Sequence, residues 1–319
     1  MKYGQLEGIL KPASKLVYGS NAIMYGDDSE AAAEVMDIAF ENGFTVFDTA
    51  NSYRNSEKNI GIWMAKRGNR EKVILLDKGV NPGQKGKSDV MTDTLIYEHT
   101  AESLRRLQTD YLDMYVLHRD DVTFPVSKVM HALNDLKDRG ILRRFGASNW
   151  TNARIREANA FAHAHGMEGF SVVSPSFSIA ETAFDPWGGS VTLCGKEHEE
   201  DRKWYAENNI CVMPYSALGR GFFSGKFRTD SGMAIEECLP YAPIAEYDTP
   251  LNRRRLAAAE KIAYEKGVKV SQVCLAYLLS LPMEMYPIVN PSKEAHMKEN
   301  IGAFEVALTD EEKIRLMCD

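Results

Sequence analysis

Four residues pose the chemical question. Asp48, Tyr53, Lys78 and His118 are of types that move protons or hold charge; Asp48, Lys78 and His118 end the short apolar runs in FTVFDTA, VILLDK and MYVLH, and Tyr53 follows Asp48 by five residues in the exposed-looking stretch NSYRNSE. Singly, each has an ordinary explanation. An aspartate after a strand commonly closes a turn, a tyrosine commonly packs, and a histidine commonly hydrogen-bonds at a strand terminus. Lys78 is the informative member, because a lysine held at the mouth of a packed sheet needs a carboxylate partner, and Asp48 can be that partner. A phenol with an ordinary pKa near ~10 is a poor proton donor at neutral pH unless a nearby cation stabilises the phenolate, which Lys78 can supply. Asp48 then keeps the lysine charged and oriented, while His118 hydrogen-bonds a substrate carbonyl or assists proton transfer. The chemistry that suits this set is reduction of a C=O bond, Tyr53 protonating the oxygen as a hydride reaches the carbon.

Such residues must be carried by rigid elements. Short apolar runs alternate with longer amphipathic segments, a pattern of βαβ units and a parallel sheet. Eight runs occur, at about 15–19, 45–48, 73–78, 112–118, 143–148, 170–174, 210–215 and 286–289, and eight parallel strands close a barrel. The expected fold is therefore α/β, a single-domain (β/α)₈ TIM barrel over residues 1–319, with a short N-terminal extension. Helices are expected at 29–42, capped by Ser29 and stopped by Gly43, and at about 92–107, with Leu95, Ala101, Leu104 and Leu107 near one face. Two long loops, 178–197 and 219–250, break the rhythm. Loops of that length are usually functional, and Phe184, Trp187 and Phe222 are candidates for the outer wall of a pocket or for packing the loops themselves.

In such a barrel the chemistry lies at the C-terminal ends of the strands. Read in order, these ends are Gly19 and Ser20, Asp48, Lys78, His118, Ser148 and Asn149, Ser174, Tyr215 and Ser216, and Asn290 with Ser292 and Lys293. Lys293 and Ser292 precede a helix start near Glu294, where free N–H groups attract a phosphate. A capped, solvated helix start with an incidental lysine is the plainer alternative.

Composition narrows the classes. The 319 residues are 44% hydrophobic and 26% charged, enough apolar material for a large core. A formal net charge of −7 disfavours nucleic acid or an anionic membrane as the main partner. Five scattered cysteines, Cys194, Cys211, Cys238, Cys274 and Cys318, include no C-x-x-C pair, which points to a reducing compartment and no metal site. His163 and His165 read as surface histidines, KEHEED at 196–201 as a solvated helix start, and Arg119, Asp120 and Asp121 as a local ion-pair network or a solvated stretch. The opening MKYGQLEGILKP lacks a signal peptide's apolar core and no segment reaches 18 apolar residues, so the expected protein is soluble and cytoplasmic. No G-x-G-x-x-G joins an early strand to a helix, which argues against a Rossmann domain.

The ordered series FDTANSY, LLDKG, VLHRDD, GASNW and IVNPSKEAHMKENIG, spread from about Leu16 to Asn300, resembles the successive motifs of the aldo-keto reductase superfamily. The resemblance implies that Asp48, Tyr53, Lys78 and His118 form a catalytic tetrad. It also implies an NADPH or NADH cofactor: Ser148 and Asn149 at the carboxamide, Tyr215 stacked on the nicotinamide, Leu218, Gly219 and Gly221 over the pyrophosphate, and Glu299 and Asn300 at the adenine. The other strand ends, Gly19, Ser20, Asp48, Ser174, Ser216, Asn290, Ser292 and Lys293, complete the expected cofactor contacts. Two positions depart from the family pattern. Ser174 stands where many members have Gln, and His296 where several have an Arg for the 2′-phosphate, leaving Lys293 as the local cation and NADPH as the expected preference. The expected function is reduction of a small-molecule aldehyde or ketone, or the reverse alcohol oxidation, with substrate identity and oligomeric state unread. Two other classes compete: a cofactor-binding regulatory subunit with little turnover, and a barrel glycoside hydrolase, which the single clear carboxylate at the strand ends disfavours.

Overall fold

A computed structural model describes residues 1–20, 23, 28–82 and 90–317; Cys318 lies outside the described residues. Strands β1 (Tyr3–Gly4) and β2 (Ala13–Ser14) pair antiparallel. Eight strands form one parallel sheet: β3 (Val17–Gly19), β4 (Val46–Asp48), β5 (Ile74–Gly79), β6 (Leu112–Leu117), β7 (Leu142–Ser148), β8 (Val172–Ser174), β9 (Cys211–Val212) and β10 (Ile288–Val289). Their spatial order runs from β10 through β3 to β9. Three backbone bonds of 2.9 Å, Val212 N to Glu284 O, Tyr286 N to Val212 O and Ile288 N to Pro214 O, join β9 to the approach of β10 and close the barrel.

All eight expected runs are strands, and their two-residue side-chain period decides what faces the lumen. Val17, Val46, Ile74, Leu76, Met114, Val116, Val172, Cys211 and Ile288 form one buried cluster inside the barrel, joined by Leu6, Ile9 and Ala13 from the N-terminal hairpin. Continuing that alternation upward brings Asp48, Lys78 and His118 to the mouth. The intervening Phe47, Leu75, Tyr115 and Leu117 belong to the cluster packed against the helices.

The helices follow their sequence signals with local differences. The first is Ser29–Glu41, but its cap is Asp28, whose carboxylate accepts from the N–H groups of Glu30 and Ala31. The expected stop holds, with Gly43 at φ +90°. Helix Asp93–Leu107 buries Ile96, Thr100, Ser103 and Leu107, with the expected Leu95 and Leu104 packed against the same core; Ala101 is exposed, and the inward face is partly polar. Segment 219–250 is not all loop, for it contains short helices Ile235–Cys238 and Tyr241–Tyr247. Phe222 does not line a pocket: it is fully buried beside Phe223 in a second core under helix Pro250–Lys266. His163 and His165 are exposed, and among the described residues no cluster could hold a metal and no helix is long and apolar enough to cross a membrane.

Candidate active site

The mouth of the barrel gathers the four residues that opened the argument. Gly19 and Asp48 are register partners across β3 and β4, and Asp48 pairs with Leu76 two residues below Lys78 on β5. Lys78 Nζ is ion-paired with Asp48 Oδ1 and donates to the Thr49 carbonyl at 2.9 Å. Both members are nearly sealed, Lys78 at 2% and Asp48 at 5% exposure. The ammonium also lies 4.9 Å from the centre of the Tyr53 ring. Half-buried His118 meets that ring edge-on, with centroids 5.7 Å apart at 76°, and its Nδ1 is 3.5 Å from Ser52 Oγ.

Burial and charge oppose each other at every member. Burial raises the Asp48 carboxyl above its ordinary value, and the Lys78 cation pulls it back. Burial acts to lower the Lys78 ammonium, but the facing Asp48 and Tyr53 outweigh it and hold the group above its usual range. Burial likewise raises the Tyr53 phenol, with Lys78 as the main opposing influence. Lys78 thus limits how weak an acid the phenol becomes.

Beside this group sits a polar ladder. Ser148 Oγ donates to Ser174 O at 2.7 Å, and Asn149 Nδ2 donates to His118 O at 3.2 Å. Asn149 Oδ1 accepts from Tyr215 OH at 2.8 Å and from Val191 N at 3.2 Å. These bonds hold Asn149 at φ +58°, a left-handed conformation uncommon outside glycine. Strand-type bonding continues past β9, with Met213 N on Val173 O and Tyr215 N on Pro175 O, and this carries Tyr215 to the mouth. Ser174 is fully buried and its hydroxyl donates to Met213 O at 2.8 Å, so it is committed to the barrel wall. Trp187 from the 178–197 loop meets the Tyr215 ring edge-on at 6.1 Å, whereas Phe184 is half exposed.

The remaining expected cofactor residues flank this ladder. A Cβ on Gly19 would fall 2.1 Å from Asn290 Oδ1, so only glycine leaves room for Asn290 across the closing strands. Ser20 Oγ is buried and has no hydrogen-bond partner among the described residues. Ser216 (φ +55°), Gly219 (φ +54°) and Gly221 (φ +101°) bend the backbone around Leu218 in a tight turn. Ser292 and Lys293 are exposed just ahead of helix Glu294–Ile301, and Lys293 makes no side-chain cap. Glu299 accepts from Ser271 Oγ, buried Asn300 follows it, and a groove of about 390 Å³ opens beside Glu299. The buried Ser20 hydroxyl, the backbone turn and the groove beside helix Glu294–Ile301 are features that suit a dinucleotide.

Several residues escaped sequence reasoning. Arg119 does not pair with Asp120 and Asp121: its Nη1 donates to Gly188 O, pinning the 178–197 loop to the end of β6. Asp120 instead pairs with Arg154 at 3.2 Å, and Asp121 accepts from Thr123. Asp77, on the helix-facing side of β5, is fully buried; burial and the neighbouring Glu57 hold its carboxyl well above the usual range. Glu57 and Arg106, ion-paired at 2.9 Å, lie behind Tyr53. A glutamate in a first helical turn ordinarily reads as solvated, so only three-dimensional packing reveals these groups.

The family model for the Aldo/keto reductase family matches residues 15–316. Norsolorinic acid reductase B of Aspergillus parasiticus is 30% identical over 309 residues, spanning 92% of this chain and 75% of its own length. A putative aryl-alcohol dehydrogenase of Saccharomyces cerevisiae is 28% identical over 297 residues, spanning 89% of this chain and 75% of its own. A crystal structure of a thermostable aldo-keto reductase bound to the inhibitor epalrestat superposes with a TM-score of 0.76 at 21% identity over 99% of both chains, a likeness of fold.

Proposed function

The chain belongs to the aldo/keto reductase family and is an oxidoreductase of carbonyl compounds, and from that premise we propose that Tyr53 is its general acid, with Asp48, Lys78 and His118 completing the catalytic group. The observation that carries this reading is the sealed Asp48–Lys78 pair with its ammonium 4.9 Å from the Tyr53 ring. When bound, a reduced nicotinamide supplies the hydride. Tyr53 holds the proton destined for the substrate oxygen, and Lys78 stabilises the phenolate left behind. Asp48 keeps Lys78 charged and aimed. His118, braced by its ring contact with Tyr53, hydrogen-bonds the carbonyl oxygen and so orients the substrate. In the reverse direction the same groups take the alcohol proton.

Ser148, Asn149 and Tyr215 form the nicotinamide end of the proposed cofactor site, and Leu218, Gly219 and Gly221 the pyrophosphate loop. Gly19, Ser20, Ser216 and Asn290 line the passage between, with Glu299 and Asn300 at the adenine. Ser292 and Lys293 supply a hydrogen-bond donor and a cation for a 2′-phosphate, which favours NADPH over NADH. Trp187 beside Tyr215 gives the mouth an aromatic wall, and the relatives' names direct the first substrates to aryl aldehydes.

The test is stopped-flow mixing of enzyme and NADPH with benzaldehydes, aliphatic aldehydes and ketones. Single-turnover loss of reduced cofactor absorbance with stoichiometric alcohol is expected. Tight NADPH binding with no oxidation by any carbonyl would refute the catalytic reading in favour of a cofactor-binding regulator.

A further inference from the structure

Tyr53 is not on a strand. It sits in the turn between β4 and helix Ser56–Arg67, where its backbone bonds are short-range: Tyr53 N donates to Ala50 O at 2.9 Å and Ser56 N to Tyr53 O at 2.8 Å. A turn of this kind is ordinarily mobile on the scale that matters for a reacting atom. One backbone bond, Asn51 N to Lys78 O at 2.8 Å, ties the turn to β5, and side-chain bonds from a neighbouring helix add to that hold on the phenol.

Helix Asp93–Leu107 provides that grip along one face. Arg106 Nη1 donates to the Asn51 carbonyl at 3.0 Å and to Glu57 Oε2 at 2.9 Å. Its Nη2 donates to Glu102 Oε1, and Glu102 Oε2 in turn accepts from Asn51 Nδ2 at 3.0 Å. Further along the same helix, His99 Nδ1 accepts from the Val80 N–H at 3.0 Å, holding the end of the strand that bears Lys78. The guanidinium reaches these partners because two helices nearly touch. A Cβ on Gly61, one turn beyond Glu57, would lie 2.4 Å from the Arg106 carbonyl oxygen. Glu57 is fully buried and Arg106 half-buried, so their charge-assisted bond is screened less than a pair exposed at both ends.

We propose that Arg106 is a positioning residue for Tyr53: by bonding Asn51 and Glu57, on either side of the tyrosine, it sets the phenol against Lys78 without touching substrate. This rests on the reading of Tyr53 as general acid. A planar fork suits the task, since one group must satisfy a carbonyl and two carboxylates lying in different directions.

The experiment is kinetic, with Arg106→Ala and Arg106→Lys each made in the wild-type and Tyr53→Phe backgrounds. Misplacing a reacting group by about 1 Å costs on the order of 100-fold, so Arg106→Ala should lower kcat by roughly 10- to 100-fold. KM for the carbonyl and the NADPH Kd should stay within about twofold, since neither ligand loses a contact. Arg106→Lys keeps a cation for Glu57 and should recover part of the loss. In the Tyr53→Phe background, removing Arg106 should cost nothing further, because the group it positions is gone. Wild-type kcat in a folded Arg106→Ala protein overturns the proposal, as does an equal loss in both backgrounds, which marks general destabilisation. Should Arg106→Ala fail to fold, Arg106→Lys decides alone: a loss confined to the wild-type background supports the proposal, and wild-type kcat overturns it. Full turnover by Tyr53→Phe itself overturns the general-acid reading, and the proposal with it, a result distinguishable from all the others.

Discussion

Replacing Lys78 with methionine keeps the side chain's length and removes its charge, and the structure sets what that should cost. Asp48, 5% exposed, loses its cation but stays buried, and stripping one partner from a buried pair typically costs about 3–5 kcal/mol. The penalty depends on pH in a defined direction. With Lys78 gone, burial alone raises the Asp48 carboxyl above its unfolded value, so the native state holds the proton more tightly. The variant's deficit is therefore smallest below about pH 4 and grows as the pH climbs through the raised native value. Activity falls for a separate reason. A cation about 5 Å from a phenolate stabilises it by about 3 kcal/mol at an effective dielectric near 20, and Lys78 Nζ lies 4.9 Å from the centre of the Tyr53 ring, so its removal should cost kcat about 100-fold and move the pH–rate profile to higher pH. Urea unfolding at pH 4.5 and 7.5, paired with steady-state rates from pH 6 to 10, measures both effects. Adding Asp48→Asn should restore stability at pH 7.5 and leave the rate low. Wild-type stability at pH 7.5 together with an unchanged pH–rate profile would refute the assigned roles of both residues.

Tyr53→Phe should lower turnover by on the order of 10²- to 10⁴-fold while fluorescence titration shows NADPH binding nearly intact. Lys293→Ala should weaken NADPH selectively in a titration of both reduced cofactors; equal weakening, or an initial preference for NADH, would show that Lys293 does not read the phosphate. Asp120, whose carboxyl burial raises from an ordinary 3.8 to about 6, destabilises the fold as the pH rises between those values. Asp120→Asn should therefore gain stability relative to wild type as the pH rises from 4 to 7, and a pH-independent difference in unfolding free energy would rule this out.

The strands were legible because each couples a local signal to a global demand. VILLDK and LDMYVLH are too short and too apolar for surface helices, and their last residues are polar because they end at a mouth. The convergence of Asp48, Lys78 and His118 was legible for the same reason, since alternation along β4, β5 and β6 sends all three to one end of the lumen. Helix orientation was less so. On Asp93–Leu107 the inward stripe includes Thr100 and Ser103, which apolar periodicity reads as outward. Ser29 gave way to Asp28 as a cap because both suit the role and only backbone geometry chooses between neighbours. The sequence left Phe222 between two roles and Arg119 misread because each answers to a partner distant in sequence: the core under helix Pro250–Lys266, and the carbonyl of Gly188.

The barrel wall is uneven around its circumference. β5, β6 and β7 are six or seven residues long, whereas β9 and β10 have two each and meet through only a few backbone bonds. Hydrogen exchange at the amides of β5 to β7 should therefore demand global opening, while those of Val212, Tyr286 and Ile288 exchange through a local fray of the seam. The proposed cofactor contacts, Tyr215 to Gly221 on one margin and Asn290 to Asn300 on the other, straddle that seam. A dinucleotide lying across it fastens the weakest junction of the barrel, so its free energy of binding returns as protection concentrated there, growing with the logarithm of cofactor concentration.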